Sequence, residues 1–249
     1  AIEGRRAVVF NPLPWKRDAV VAIEGLPFLA RDLPPCGYKS YKNYASSGSK
    51  PLPARNTLEN AFFKLTVDPA RGGITSLVDK RTGCELVEQN GDAVLGQYLY
   101  EQFSGNEVLA FVGDYTNYGP GRGVKRGAAV TAASMYNSGN QFGKPGMPTN
   151  VTYSATYAGN ATVQLTKNEL GDCIILNMPA SGRNPDPVAL TIQLHNEQPY
   201  IDFEWRIVNK TPDRIPEGGW FCFPFNIRNP SWRLGRRGAV PDPSKDIVE

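Results

Sequence analysis

Histidine is nearly missing from this chain: His195 is the only one in 249 residues. The four cysteines, Cys36, Cys84, Cys173 and Cys222, lie far apart, form no C-x-x-C pair and have no histidine close by, so the sequence carries no zinc-ligand pattern. An excess of one charge is also missing. Basic residues number 27 and acidic residues 24, a net charge of +3, and no long block of like charge appears. Bulk charge therefore supports neither a nucleic-acid partner nor a membrane surface. No apolar run reaches the roughly 18 residues that cross a bilayer, and no basic-then-apolar leader opens the chain, as expected of a mature or excised segment. The opening Ile2-Glu3-Gly4-Arg5 matches a protease-cleavage sequence and equally fits native sequence, and carries no functional weight. Long stretches with the 3.6-residue helical period are scarce.

What is abundant is glycine and proline, 25 and 21 residues. With so little helical periodicity, that predicts many short strands and turns, an all-β class. The clearest stretch is Asn56 to Val87. Phe63, Leu65 and Val67 alternate with Phe62, Lys64 and Thr66, the period of a strand buried on one face. Asp68-Pro69-Ala70-Arg71-Gly72-Gly73 reads as a turn with glycines at positive φ. A second apolar run, Ile74 to Val78, the turn Asp79 to Gly83 and a third run, Cys84 to Val87, complete a meander. Before it, strands are expected at Ala7 to Phe10, around Ala19 to Ile23, and in a piece running to Tyr41. So short a segment must pack on something larger. The expected organisation is a small β segment over 1–47, a linker over 48–56 rich in Ser, Gly and Pro around its start, and a large sandwich over 57–249.

Further along, the glycine-rich loop Gly119 to Gly127 lacks a Walker pattern and reads as surface. A short helix is expected near Ala128 to Met135. Val151 to Tyr157 and Ala161 to Leu165 read as a hairpin closed at Gly159-Asn160, and Cys173 to Met178 as another strand. Val188 to Leu194 with Ile201 to Val208 is the strongest hairpin, with Asp202, Glu204 and Arg206 on its wet face. A last strand is expected over Trp220 to Ile227. Cys84, Cys173 and Cys222 sit in apolar context and read as buried free thiols. Asn150, Asn160 and Asn209 open N-x-[ST] triplets, which signify glycosylation only in a secreted eukaryotic protein.

Three runs in order, VVFNPLPWKRDAVV, DLPPCGYKSY and NTLENAFFKLTVDPARGGITSLVDKRTGCELV, resemble the region behind the catalytic domain in glycoside hydrolase family 38, the α-mannosidases. Order and spacing match over roughly the first 90 residues, and IDFEWRIVNKTP is similar to the family's long central strand. The resemblance implies part of a small sandwich followed by a large antiparallel sandwich of the galactose-mutarotase-like kind. It also implies an upstream α/β domain as partner, in which an aspartate nucleophile and a zinc held by histidines and aspartates cleave mannosides with retention. This chain has no H-x-D pair, so it is expected to hold no cofactor and no catalytic residue of that reaction.

A mutarotase-like fold also hosts epimerases, but proton transfer on both sides of a sugar needs at least two suitable groups, and one histidine does not supply them. The implied role is scaffolding the catalytic domain and lining its sugar cleft. The alternative is a stand-alone carbohydrate-binding or structural sandwich. Candidate sugar contacts are Trp220 with Glu217, and Trp232 with Arg233, Arg236 and Arg237, because aromatic rings stack on pyranose faces and guanidinium forks bridge hydroxyls. His195 is a further candidate, expected as a partly exposed histidine at a hairpin end.

Overall fold

Asn11 explains the first turn. Wholly buried, its amide donates to the carbonyls of Trp15 and Pro34 at 2.8 and 2.9 Å, while its Oδ1 accepts from the Leu13 amide and Arg17 Nε. The Asn-Pro-Leu-Pro-Trp run thus closes on itself and separates β1 (Arg6–Asn11) from β2 (Arg17–Ile23). With β3 (Leu26–Leu33) and β4 (Gly37–Lys42) these strands make two antiparallel ribbons, β1–β4 and β2–β3. Their shared core is small: Val9, Ala30 and Leu33, with Ala19, Val21, Phe28 and Tyr41 packed around them.

The molecule is seen in a computed structural model that describes residues 6–42, 48–105, 107–108, 150–182, 184–235 and 240–246. The fold is all-β and antiparallel, a sandwich-like arrangement as expected. The glycine-rich loop at 119–127 and the helix expected near 128–135 lie outside the described residues.

After β5 (Lys50–Pro51), the Asn56 to Val87 stretch forms a meander of four strands, one more than the three runs read in the sequence, because the three-residue β6 (Thr57–Glu59) pairs with β7 (Phe63–Asp68) ahead of β8 (Gly73–Asp79) and β9 (Cys84–Glu85). Alternation works as read: Phe63, Leu65 and Val67 are buried and Lys64 is exposed. The next strands are β10 (Tyr98–Gln102), β11 (Ser154–Tyr157), β12 (Thr162–Lys167), β13 (Gly171–Met178), β14 (Val188–His195), β15 (Ile201–Ile207) and β16 (Glu217–Phe221). They build a five-stranded sheet ordered β15-β14-β13-β12-β5 and a three-stranded sheet ordered β11-β10-β16. All three sheets contribute to one core, in which Leu58, Leu65 and Ile74 meet Ile174, Leu176, Leu190 and Ile192, with Tyr98 and Tyr100 joining from β10. Burying each such aliphatic side chain stabilises the fold by about 1.5–3 kcal/mol before entropy is counted.

The β14–β15 hairpin matches its sequence reading, with Val188 opposite Ile207 and Leu194 opposite Ile201. Three expectations change. Residues 151–165 do not form a hairpin: β11 pairs with β10 and β12 with β13, in different sheets. The connecting residues cross between sheets, held by Ala158 N–H donating to Tyr98 O, and by Asn160 and Ala161 N–H donating to Ala70 and Pro69. Period two identifies a strand but does not choose its neighbour. Cys84 is exposed, since β9 is two residues long, while Cys173 is buried and Cys222 partly so. The last strand stops at Phe221; beyond it Cys222 still exchanges backbone bonds with Gly96 and Gln97, and a bridge from Phe225 to Val87 pairs the chain with the end of the meander instead of extending the strand. Pro224 has no N–H to extend the ladder.

Candidate functional site

β10 is the middle strand of the three-stranded sheet, and its alternation sorts the local chemistry onto two faces. Register places Tyr157 and Trp220 on either side of Leu99, and Ala155 and Gly218 on either side of Glu101. These residues form the outer face. There the Trp220 Nε1–H donates to Glu101 Oε2 at 2.5 Å, and the Tyr153 hydroxyl donates to the other carboxylate oxygen, Glu101 Oε1. The Phe103 ring lies 5.8 Å from that of Tyr153. Trp220 is 55 % exposed, Tyr153 47 % and Tyr157 38 %. The bond to Glu101 raises the Tyr153 pKa, with smaller contributions from burial and nearby acids, so the phenol stays a donor at neutral pH. Gly218 permits this layout, because a Cβ there would sit 3.2 Å from the Trp220 Nε1 and 3.3 Å from Phe103.

The inner face carries Tyr98, Tyr100 and Gln102 opposite Phe221, Gly219 and Glu217. Glu217 is committed to the protein: Oε2 accepts the Tyr100 hydroxyl at 2.7 Å and Oε1 accepts Lys210 Nζ at 2.8 Å. Lys210 also faces the buried Asp186 at 3.9 Å, whose Oδ1 accepts the Thr211 amide. Burial and then the Glu217 bond push the Tyr100 phenol far above its ordinary value, while the bond to Glu217 raises Lys210. This is a charge-paired network on the inner face of the sheet, with the Lys210 ammonium reaching solvent at its edge. Gly219 makes room for it, since a Cβ there would lie 2.5 Å from the Tyr98 hydroxyl.

Trp220 and Glu217, adjacent in the sequence reading, therefore point to opposite faces. Compared with protein-family models and with curated proteins, the chain matches none.

His195 differs from its expected partial exposure. It is 1 % exposed, its Nε2 is 2.7 Å from Asp202 Oδ2, and its ring lies 4.5 Å from Tyr200. Its carbonyl accepts the Asn60 amide, which ties the β14 end to the meander. Trp232 is exposed, and Arg233 is held by Ser231 Oγ, the Trp232 carbonyl and Asp242 Oδ2 at 2.8 Å. Arg236 and Arg237 lie outside the described residues.

Glu101, Tyr153 and Tyr157 escaped the sequence reading. Their alternation was visible in YLYEQF and VTYSATY, but nothing local says that these two segments pair. Chemically, the outer face offers aromatic planes for stacking and a carboxylate whose remaining lone pairs accept hydroxyl protons. Among the described residues, no three His, Cys, Asp or Glu side chains converge as a metal site would require.

Proposed function

We propose that this chain is the accessory β-sandwich region of an α-mannosidase-like glycoside hydrolase, which scaffolds an upstream catalytic domain and presents a sugar-contacting face to its cleft. The observation that carries the reading is the Glu101 carboxylate held between the Trp220 indole and the Tyr153 phenol on an exposed aromatic face. The apolar side of a pyranose lies on an aromatic ring, and its equatorial hydroxyls reach a fixed acceptor at the ring edge. The order of the three family-38-like runs supports the same assignment. The reading gives this chain no catalytic residue; the carboxylate and zinc chemistry of such an enzyme belongs to its α/β domain, where an H-x-D pair is expected in the full-length polypeptide. A full-length sequence without that pair would leave the stand-alone carbohydrate-binding module.

The direct test is calorimetric titration of the 249-residue chain with methyl α-mannoside. Binding in the millimolar range is expected, weakened about tenfold or more in Trp220→Ala and by less in Glu101→Gln. Undiminished affinity in Trp220→Ala would remove this face from sugar contact.

A further inference from the structure

The five-stranded sheet has a second face, opposite the core, and the β2–β3 hairpin stands over it. Between them lies a cleft of about 430 Å³, within the usual range of ligand clefts. Its floor follows from register. Thr166, Cys173, Gln193 and Asp202 form one cross-strand row over β12 to β15, and Thr191 with Glu204 forms part of the next. The hairpin wall is the face bearing Val20 and the Ala22–Pro27 cross-strand pair. Cys173 and Gln193 are buried on this floor, on the side of the sheet away from the core.

The floor is rigid. The Gln193 amide donates to the carbonyls of Asp172 and Leu194, and its Oε1 accepts the Asn168 amide at 2.6 Å. Asn168 Oδ1 in turn accepts the amides of Leu170 and Gly171. Those polar groups are satisfied by the protein and present a fixed surface. The acceptors left to a ligand are on β15. Asp202 uses Oδ2 on His195 and Glu204 uses Oε1 on Arg206, while Asp202 Oδ1 and Glu204 Oε2 carry none of these bonds. One oxygen of each carboxylate is already taken, Asp202 by the His195 ring and Glu204 by the Arg206 guanidinium, and among the described residues no third carboxylate joins them, so the rim lacks the converging oxygen set that a cation needs. A neutral ligand rich in hydroxyl donors, with one apolar side for Val20 and Pro27, matches it better.

We infer that this cleft between the N-terminal hairpin and the outer face of the five-stranded sheet binds a neutral monosaccharide unit, as a second sugar site separate from the Trp220 face. The choice of a sugar rests on the carbohydrate reading above, whereas the location rests on the cleft alone. Asp202 Oδ1 and Glu204 Oε2 accept hydroxyl protons, Thr191 bridges a neighbouring hydroxyl, and the hairpin covers the ring's apolar side.

The experiment is methyl-detected NMR on the 249-residue chain titrated with methyl α-mannoside, following Val20, Ile175 and Thr191 methyls for the cleft and the Trp220 indole N–H for the aromatic face. Both sets are expected to shift with separate saturation curves. In the Thr191→Val, Glu204→Gln double variant the cleft curve weakens about tenfold while the indole curve stays. Shifts at the indole alone overturn the cleft site and leave the proposed function standing. Shifts at the cleft alone support this inference and overturn the aromatic face. A flat response at both overturns both.

Discussion

Glu85 has both carboxylate oxygens engaged by the protein. Oε2 accepts the Ser76 hydroxyl at 2.5 Å, and Oε1 accepts the amides of Leu77 and Val87 at 2.8 and 2.9 Å. Burial alone would raise its pKa. The Ser76 hydroxyl and the Leu77, Val87 and Leu86 amides outweigh burial and hold the carboxyl below the ordinary glutamate value of 4.5. Folding thus lowers this pKa, so ionised Glu85 adds stability that is fully present above pH 4.5 and is lost as pH falls below it through the folded value. Thermal melts from pH 6 down to about pH 3 should show a steeper fall in midpoint for the parent chain than for Glu85→Gln. Parallel curves would show that the contacts of Glu85 do not favour its charge. Tyr100 behaves differently at this scale, because burial, reinforced by its bond to Glu217, keeps the phenol protonated and donating throughout the neutral range.

At the scale of elements, the Gly72-Gly73 turn between β7 and β8 is a docking point for the rest of the sandwich. Gly72 has φ +70°, and a Cβ there would lie 2.6 Å from Met178 Sδ and 2.7 Å from the Ala158 carbonyl. Gly73 does not need positive φ, contrary to the sequence reading. It is required for close approach, since its Cβ would lie 2.9 Å from the Leu95 carbonyl, at the point where Ile74 and Leu95 exchange both backbone bonds. Gly72→Ala should therefore lower stability by about 1–3 kcal/mol, combining a left-handed backbone with a steric clash. Urea unfolding should show this as a lower midpoint at unchanged slope. A loss under about 0.5 kcal/mol would mean that the turn relaxes freely.

For the whole molecule, the N-terminal ribbons and the three-sheet sandwich have separate apolar clusters. An ion pair from Arg31 to Glu197 at 2.5 Å joins them across solvent, with both side chains about half exposed, and such pairs contribute about 0–1 kcal/mol. A chain beginning at residue 48 keeps β5 on β12 and the whole large core. It should unfold cooperatively, with a circular-dichroism melting midpoint within a few degrees of the full chain. Loss of cooperative unfolding would show that the ribbons complete the large core. Aromatic stacking supports the independence of that core. Trp205 on β15 stacks on Phe221 of β16 at 4.3 Å, and its Nε1 donates to the Gly96 carbonyl, joining the five-stranded and three-stranded sheets.

Period-two alternation, proline and glycine placement and the near absence of histidine determined the all-β class, the meander of Asn56 to Val87, the β14–β15 hairpin with its wet face, and the lack of a zinc-ligand pattern. Each of these depends on neighbours within about a dozen residues, where strand period and turn chemistry act. Only the tertiary structure decided that β11 joins β10 while β12 joins β13, because alternation is silent about partners distant in sequence. That same long-range pairing brought Tyr153, 52 residues away in sequence, to Glu101 and turned Glu217 and Trp220 to opposite faces. It also buried His195 against Asp202, since whether a hairpin end is wet depends on what packs over it.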